Sequence, residues 1–157
     1  MPASRIMPID PAPLGIVVDQ NETLPQHRGY RFPGEIVQNL DCADYSARDF
    51  IDVLRIERKS LPDFLNCCGG RRDEFERGTL AAMHAYEHRY LLLEFTLADL
   101  ARGAWDRPRV HPSSAIGSVF GWSVRYGVQP IFAGDAAHAR AAVIRIVAML
   151  SRLQTVK

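Results

Sequence analysis

The chain has 157 residues, which suits one ordinary domain with a single buried core. Its 47% apolar and 24% charged residues, with a net charge of +1, describe a globular protein and exclude a disordered or fibrous one. No apolar run reaches the ~20 residues that span a bilayer. The three cysteines fit neither a zinc motif nor an even disulfide framework. We therefore expect an intracellular, cytoplasmic protein with free thiols and no membrane partner.

The pattern of apolar residues predicts an α/β fold. Residues 1–14 contain four prolines and predict a flexible leader, so the domain itself is expected to cover residues 15–157. The predicted strands are 15–19, 35–40, 49–59, 90–95 and 128–132, with a turn at 46–49. Four helices are predicted. The first begins after Ser60 and the second covers 73–87. The third begins after Ser113 or Ser114, and the fourth runs from an Asp135 cap to residue 153. Strands interspersed with helices predict a central mixed β-sheet flanked by helices.

Lys59 is an unusual choice of cation in this chain. Of the 19 basic residues only Lys59 and Lys157 are lysines, so the other 17 are arginines. On a strand, residues two apart share a face, so Glu57 and Lys59 are expected to leave the strand end side by side. Asp44 lies thirteen positions before Glu57 and precedes the predicted turn, so a hairpin can bring the two carboxylates together.

Two carboxylates beside one lysine suit the hydrolysis of a phosphodiester. The carboxylates can hold a hard divalent cation through oxygen, and the cation polarises the phosphate and activates a bound water. The lysine can orient that water or stabilise developing negative charge. The competing interpretation is an exposed strand end with an ordinary Glu–Lys pair.

The amino-acid sequence of these segments resembles that of a known family. Residues 42–45 (Cys-Ala-Asp-Tyr) and 56–63 (Ile-Glu-Arg-Lys-Ser-Leu-Pro-Asp) resemble the signature of the XPF family of structure-specific endonucleases. Residues 17–22 resemble the family's opening Val-Asp-x-Arg-Glu segment, 70–72 its Gly-Arg stretch and 91–94 its Leu-Ile-Glu strand. The ordered set is more specific than any single motif.

The resemblance implies a restriction-endonuclease-like core and a metal-dependent endonuclease that uses Mg²⁺ or Mn²⁺. It assigns Asp44 and Glu57 as metal ligands and Lys59 as the catalytic lysine. Asp19 stands where the family has a further catalytic and metal-binding acid, and Glu22 is a supporting carboxylate. The implied substrate is DNA, branched or with a flap, in a reaction of low sequence specificity.

Further roles concern neighbouring charges and two departures from the family pattern. Arg58 is expected to point away from the metal and to support the site through an ion pair with Asp63. Ala43 replaces the usual glycine before Asp44, which is a mild change if the backbone there has a negative φ. Asn21 replaces the usual arginine and removes a cation near the site.

Arginines supply the expected DNA contacts. Arg71 and Arg72 compete for the family's Gly-Arg position. Arg145 and Arg152 share one face of the last helix, which is either a stripe that contacts phosphates or a solvated surface. No segment resembles the family's helix-hairpin-helix module, so DNA binding is expected to be weak and sensitive to salt.

Two apolar helices predict how the chain associates. Residues 115–126 and 136–153 carry wide apolar surfaces, and members of the resembled family pair through the corresponding region, so we expect a homodimer formed by these C-terminal helices. The alternative function is a non-catalytic module of the same fold that binds DNA and dimerises. Retention of Asp44, Glu57 and Lys59 favours the enzyme.

Overall fold

A six-stranded mixed sheet forms the centre of the part of the chain, residues 6–156, that the computed structural model describes. The strand order is β2-β1-β3-β4-β5-β6. β1 is parallel to β2, β3 is antiparallel to both β1 and β4, and β4, β5 and β6 are mutually parallel. The strands are β1 (Ile16–Asp19), β2 (Ile36–Gln38), β3 (Tyr45–Ala47), β4 (Leu54–Lys59), β5 (His88–Leu93) and β6 (Gln129–Phe132). The predicted α/β class with a central mixed sheet is confirmed.

Helices cover both faces of the sheet. They are α1 (Leu61–Cys68), α2 (Arg72–Glu74), a π-helical segment (Phe75–Leu80), α3 (Ala81–Met83), α4 (Leu97–Arg102), α5 (Pro112–Tyr126) and α6 (Ala136–Gln154). Short 3₁₀ turns lie at Ala12–Leu14, Gln20–Thr23, Pro25–His27 and Arg48–Phe50. No helix within residues 6–156 is long and apolar enough to cross a membrane.

Alternating side chains of β5 divide the core into two layers. Leu91 and Leu93 join one cluster, which includes residues of α1 and α5, whereas Leu92 joins the cluster that includes α6. A strand that is apolar at consecutive positions is expected where helices cover both faces of the sheet. The long apolar faces of α5 and α6 are thereby placed on opposite sides of the sheet.

The structure confirms two of the three predicted helix caps. The Ser60 side chain accepts a hydrogen bond from the Asp63 amide, and Asp135 accepts one from the His138 amide, as predicted. The predicted Ser113 or Ser114 cap of α5 is wrong. His111 is the cap, and its ring accepts from the Ser113 amide, because Pro112 has a fixed φ and no N–H and suits the first helical position.

Three other local predictions are corrected. The predicted strand 49–59 starts only at residue 54, because a 3₁₀ turn (Arg48–Phe50) occupies the first of these positions. The predicted turn at 46–49 overlaps the end of β3. The predicted helix 73–87 ends at Met83. Helix α4 was not predicted, although Thr96 and Asp99 form a reciprocal capping box at its start.

The predicted leader is described only in part, since residues 1–5 lie outside the described residues. Ile9 and Leu14 pack against the core cluster that includes α6. The Met7 carbonyl accepts a hydrogen bond from Arg145 of α6. Residues 6–14 therefore lie against the domain.

Candidate active site

A cavity of about 480 Å³ lies where β1 and β4 end and β3 begins. Because β3 runs antiparallel to both neighbours, its first residues lie beside the last residues of β1 and β4. Eight of the predicted site residues line the cavity: Asp19, Glu22, Asp44, Glu57, Arg58, Lys59, Asp63 and Arg71. Residues separated by up to 52 positions in the sequence (71 − 19) thus share one surface.

Asp44 is fixed on both sides by backbone hydrogen bonds. Its amide donates to the Ile56 carbonyl at 3.0 Å, and its carbonyl accepts from the Asp19 amide at 2.8 Å. Tyr45 is paired with Ile56, so the next position outward brings Asp44 opposite Glu57. The side-chain Oδ2 accepts the Arg58 amide at 2.7 Å. Asp44 is held at the strand end with one carboxylate oxygen bound to the backbone.

Crowding of carboxylates perturbs Asp44. Burial, together with the negative charges of Glu57 and Glu22, raises the pKa of Asp44 well above its ordinary value. Because the three carboxylates lie close together, ionising all of them at once is unfavourable. A cation would offset that repulsion.

Ala43, immediately before Asp44, has a left-handed backbone with φ of 62°. The premise that this residue has a negative φ is therefore wrong. A residue with a Cβ is strained in this region, which explains why a glycine would suit the position. The turn is required because the chain must enter β3 with the Asp44 amide aimed at β4.

Lys59 and Glu57 form an ion pair on one face of β4, with Nζ 2.9 Å from Oε1. The Lys59 ammonium also lies 4.8 Å from the centre of the Phe75 ring. Burial alone would lower the pKa of Lys59, but the Glu57 carboxylate raises it above its ordinary value. The ion pair with Glu57 thus favours the protonated form of Lys59.

Asp19 lies at the end of β1 and accepts hydrogen bonds from two backbone amides. Oδ1 accepts from Leu40 at 2.8 Å and Oδ2 from Asn21 at 3.1 Å. The residue is buried, and its carboxylate caps the turn that follows β1 while holding the loop that leads to β3. Each oxygen keeps a further lone pair.

Arg58 points to the opposite face of β4 from Glu57 and Lys59, as predicted, but its expected ion pair with Asp63 is wrong. Arg58 Nε lies 3.1 Å from Glu22 Oε2, and its Nη1 lies 3.5 Å from Glu94 Oε2. Asp63 lies in the first turn of α1, which packs on the other face of the sheet, so Glu22 and Glu94 are the carboxylates that bond Arg58.

Two tyrosines donate to the carboxylates around Arg58, and the sequence did not single out one of them, Tyr30. The Tyr45 hydroxyl donates to Glu22 at 2.7 Å, and the Tyr30 hydroxyl donates to Glu94. A Cβ at Gly29 would lie 2.3 Å from the Glu22 carbonyl, so only glycine allows this close approach. The Asp-Tyr and Leu-Ile-Glu motifs contain Tyr45 and Glu94, whereas no sequence signal marked Tyr30.

The four arginines predicted to bind DNA occupy different places. Arg71 lines the cavity. Arg72 donates a hydrogen bond to the Ser118 hydroxyl, which links α2 to α5, and its Nη1 lies 3.0 Å from Glu76 Oε1. Arg145 and Arg152 are exposed on α6 and do not line the cavity.

The donor set of the cavity fits a hard divalent cation in part. Within residues 6–156, no three histidine, cysteine or acidic side chains come together as a complete metal site. Asp44 and Glu57 provide two carboxylates, each with one oxygen that has no hydrogen-bond partner among those residues. Magnesium typically binds through one or two carboxylates and keeps waters or substrate phosphates as its other ligands.

Helices on both faces of a mixed sheet, with a cluster of acids at the strand ends, define an α/β domain with a polar cavity. Its fold is that of XPF from Aeropyrum pernix. One solved structure of that protein matches with a TM-score of 0.67 and 19% identity, covering 87% of this chain and 65% of that chain. A second, in complex with DNA, matches with a TM-score of 0.62 and 21% identity over 88% of this chain and 65% of that chain. No protein-family model and no curated protein matches the sequence. The chain thus spans about two thirds of the neighbour's length and shares its fold.

Proposed function

We propose that this protein is an endonuclease that hydrolyses phosphodiester bonds of DNA with a divalent metal. One observation carries the proposal: Asp44, Glu57 and Lys59 line a single open cavity. The neighbour of the same fold in complex with DNA supports DNA as the substrate class.

Asp44 and Glu57 would hold Mg²⁺ or Mn²⁺ through their remaining oxygens. Bound there, the ion would polarise the phosphate and lower the pKa of a water. The raised pKa of Asp44 supports this assignment, because a cation relieves the repulsion among the carboxylates. Asp19, which lines the same cavity, is proposed as a further acid of the site.

Lys59 would stabilise the negative charge that develops on the phosphate during attack. Its pairing with Glu57 keeps it protonated, and the Phe75 ring beneath it restricts where the ammonium lies. A fixed cation in a partly enclosed cavity is more effective than one in bulk water, because it needs no reorientation.

The substrate is proposed to be branched or flap DNA, bound with low sequence preference. Arg71 stands at the cavity and would contact a phosphate there. Arg145 and Arg152 on α6 would contribute contacts elsewhere. Arginine contacts to phosphate are blind to sequence.

The decisive experiment incubates the pure protein with labelled flap, fork, four-way junction and duplex DNA, with Mg²⁺, Mn²⁺ or EDTA. Cleavage should require metal, and Lys59→Ala should abolish it without unfolding the protein, because Lys59 lies at a strand end. Asp44→Asn and Glu57→Gln should weaken Mn²⁺ binding in calorimetric titration. The matched control is Arg77→Ala, whose cation is exposed and pairs with Asp73 away from the cavity.

Cleavage by Lys59→Ala at the wild-type rate, or by the wild type in EDTA, would refute the mechanism. Binding without cleavage under all conditions would favour the non-catalytic module.

We also propose a homodimer formed through α5 and α6. Four apolar side chains on these helices are exposed: Phe120, Val124, Met149 and Leu153, with Val124 at 89%. Because α5 and α6 pack on opposite faces of the sheet, the interface would have to pass around the sheet edge at β6. Light scattering at micromolar concentration should report a dimer, and a Val124→Glu, Met149→Glu variant should report a monomer. The control Leu97→Glu changes an exposed apolar residue on α4, and a wild-type monomer would refute the proposal.

A further inference from the structure

Arg55 is buried in β4, two residues before Glu57 and on the same face of the strand. Each nitrogen of its guanidinium donates a hydrogen bond. It donates to Asp41 Oδ1 at 2.9 and 3.1 Å, and to the Tyr86 hydroxyl at 2.9 Å. It also donates to the Ile51 carbonyl at 2.7 Å. A buried arginine is stable only when its donors are matched in this way. The guanidinium is therefore a rigid fixture of the sheet.

Asp41 is held from two sides although its side chain is largely exposed. Oδ1 accepts from Arg55, and Oδ2 accepts from the Tyr86 hydroxyl at 2.6 Å. The Arg55 Cζ lies 4.0 Å from the centre of the Tyr86 ring, so the three side chains form one closed unit. An exposed aspartate ordinarily has no such constraint, because water satisfies it. This arrangement fixes the backbone at Asp41.

The backbone at Asp41 leads directly to Asp44. Residues 39–44 connect β2 to β3, and the loop is attached to the sheet at three points. Asp19 holds the Leu40 amide, the unit of Arg55 and Tyr86 holds Asp41, and β4 holds the Asp44 amide. Between the last two points lies Ala43 in its strained left-handed conformation. A strained residue persists only where its surroundings hold it.

We propose that Asp41, Arg55 and Tyr86 form a positioning clamp that keeps Asp44 in the geometry for binding metal. The inference rests on the proposed function and extends it to residues that do not touch the metal. Loosening the clamp lets residues 41–43 relax, so that the Asp44 carboxylate is held less firmly beside Glu57. The loss appears in metal affinity, while turnover at saturating metal is kept, because Lys59 and Glu57 lie on β4.

The test compares Tyr86→Phe with Tyr126→Phe. The first removes the hydroxyl that donates to Asp41 and accepts from Arg55, and it leaves the ring over Arg55 in place. The second removes a hydroxyl that makes no side-chain hydrogen bond among residues 6–156. Mn²⁺ affinity by calorimetry should fall about tenfold in Tyr86→Phe, as for other groups that orient ligands, and stay unchanged in Tyr126→Phe. Amide hydrogen exchange at residues 40–44 of the metal-free protein should be faster only in Tyr86→Phe.

Kinetics separate positioning from a merely structural effect. The Mn²⁺ concentration for half-maximal cleavage should rise about tenfold in Tyr86→Phe, with kcat at saturating Mn²⁺ unchanged. Unaltered exchange and affinity would overturn the clamp, and so would faster exchange with unaltered affinity. A wild type that neither binds Mn²⁺ nor cuts DNA would instead show that the proposed function itself has failed.

Discussion

Ala43 allows a quantitative test of strain beside the site. An alanine with φ of 62° costs about 1–2 kcal/mol relative to a right-handed conformation. Glycine removes that cost, but its greater conformational freedom stabilises the unfolded chain by about 0.4–1 kcal/mol. Loss of a half-buried methyl offsets a little more, about 0.4 kcal/mol. Ala43→Gly should therefore stabilise the fold by about 0.5 kcal/mol, or ~1–2 °C in Tm.

Urea unfolding of the metal-free protein, followed by tryptophan fluorescence, measures the change in the free energy of unfolding. Ala81→Gly is the matched control, because Ala81 is exposed and has a helical φ of −63°. That variant should lose about 0.5–1 kcal/mol. The two variants share one chemical change and have opposite expected signs. Equal losses in both would show that the left-handed backbone stores no strain and would refute the reasoning.

Charges in and around the cavity set three further expectations. A raised carboxyl pKa means that the folded state binds the proton more tightly. The contribution of Asp44 to stability is therefore fully present below its ordinary pKa of about 4 and is lost as pH rises from there through the raised pKa. Asp44→Asn should therefore melt above the metal-free wild type at pH 7 and lose most of the stabilisation by Mn²⁺. Arg58→Met should destabilise the fold by about 3–5 kcal/mol in urea unfolding, because it leaves the buried Glu22 unpaired. DNA affinity, measured by fluorescence anisotropy, should fall at least about tenfold between 50 and 200 mM salt, because phosphate contacts release counterions.

Each expectation has an outcome that contradicts it. Metal-free wild type and Asp44→Asn that melt together at every pH would exclude carboxylate repulsion at Asp44. An Arg58→Met variant no less stable than Arg77→Met, which alters an exposed cation, would show that the buried ion pairs contribute little. Nanomolar affinity that is independent of salt would require a binding surface other than arginines and phosphates.

Local sequence patterns predicted the elements whose cause lies within a few residues. Ser60 and Asp135 cap α1 and α6 as expected, because a capping side chain bonds an amide three positions away. The apolar run at residues 90–95 predicted a buried strand, and the observed strand β5 lies two residues earlier, at His88–Leu93. α4 was missed despite its capping box, because six residues are too few for a helical period to be recognised.

The sequence also indicated which residues share the cavity, since the alternation of β4 places Glu57 and Lys59 together and the motif places Asp44 near them. Partner choice was decided by the tertiary structure alone. Arg58 bonds Glu22 and Glu94, which are 36 positions away on either side, rather than the nearer Asp63. The physical reason is that a side chain bonds what the packed sheet brings within about 3 Å, and in a mixed sheet those neighbours are distant in sequence. The left-handed turn at Ala43 and the clamp on Asp41 have the same origin.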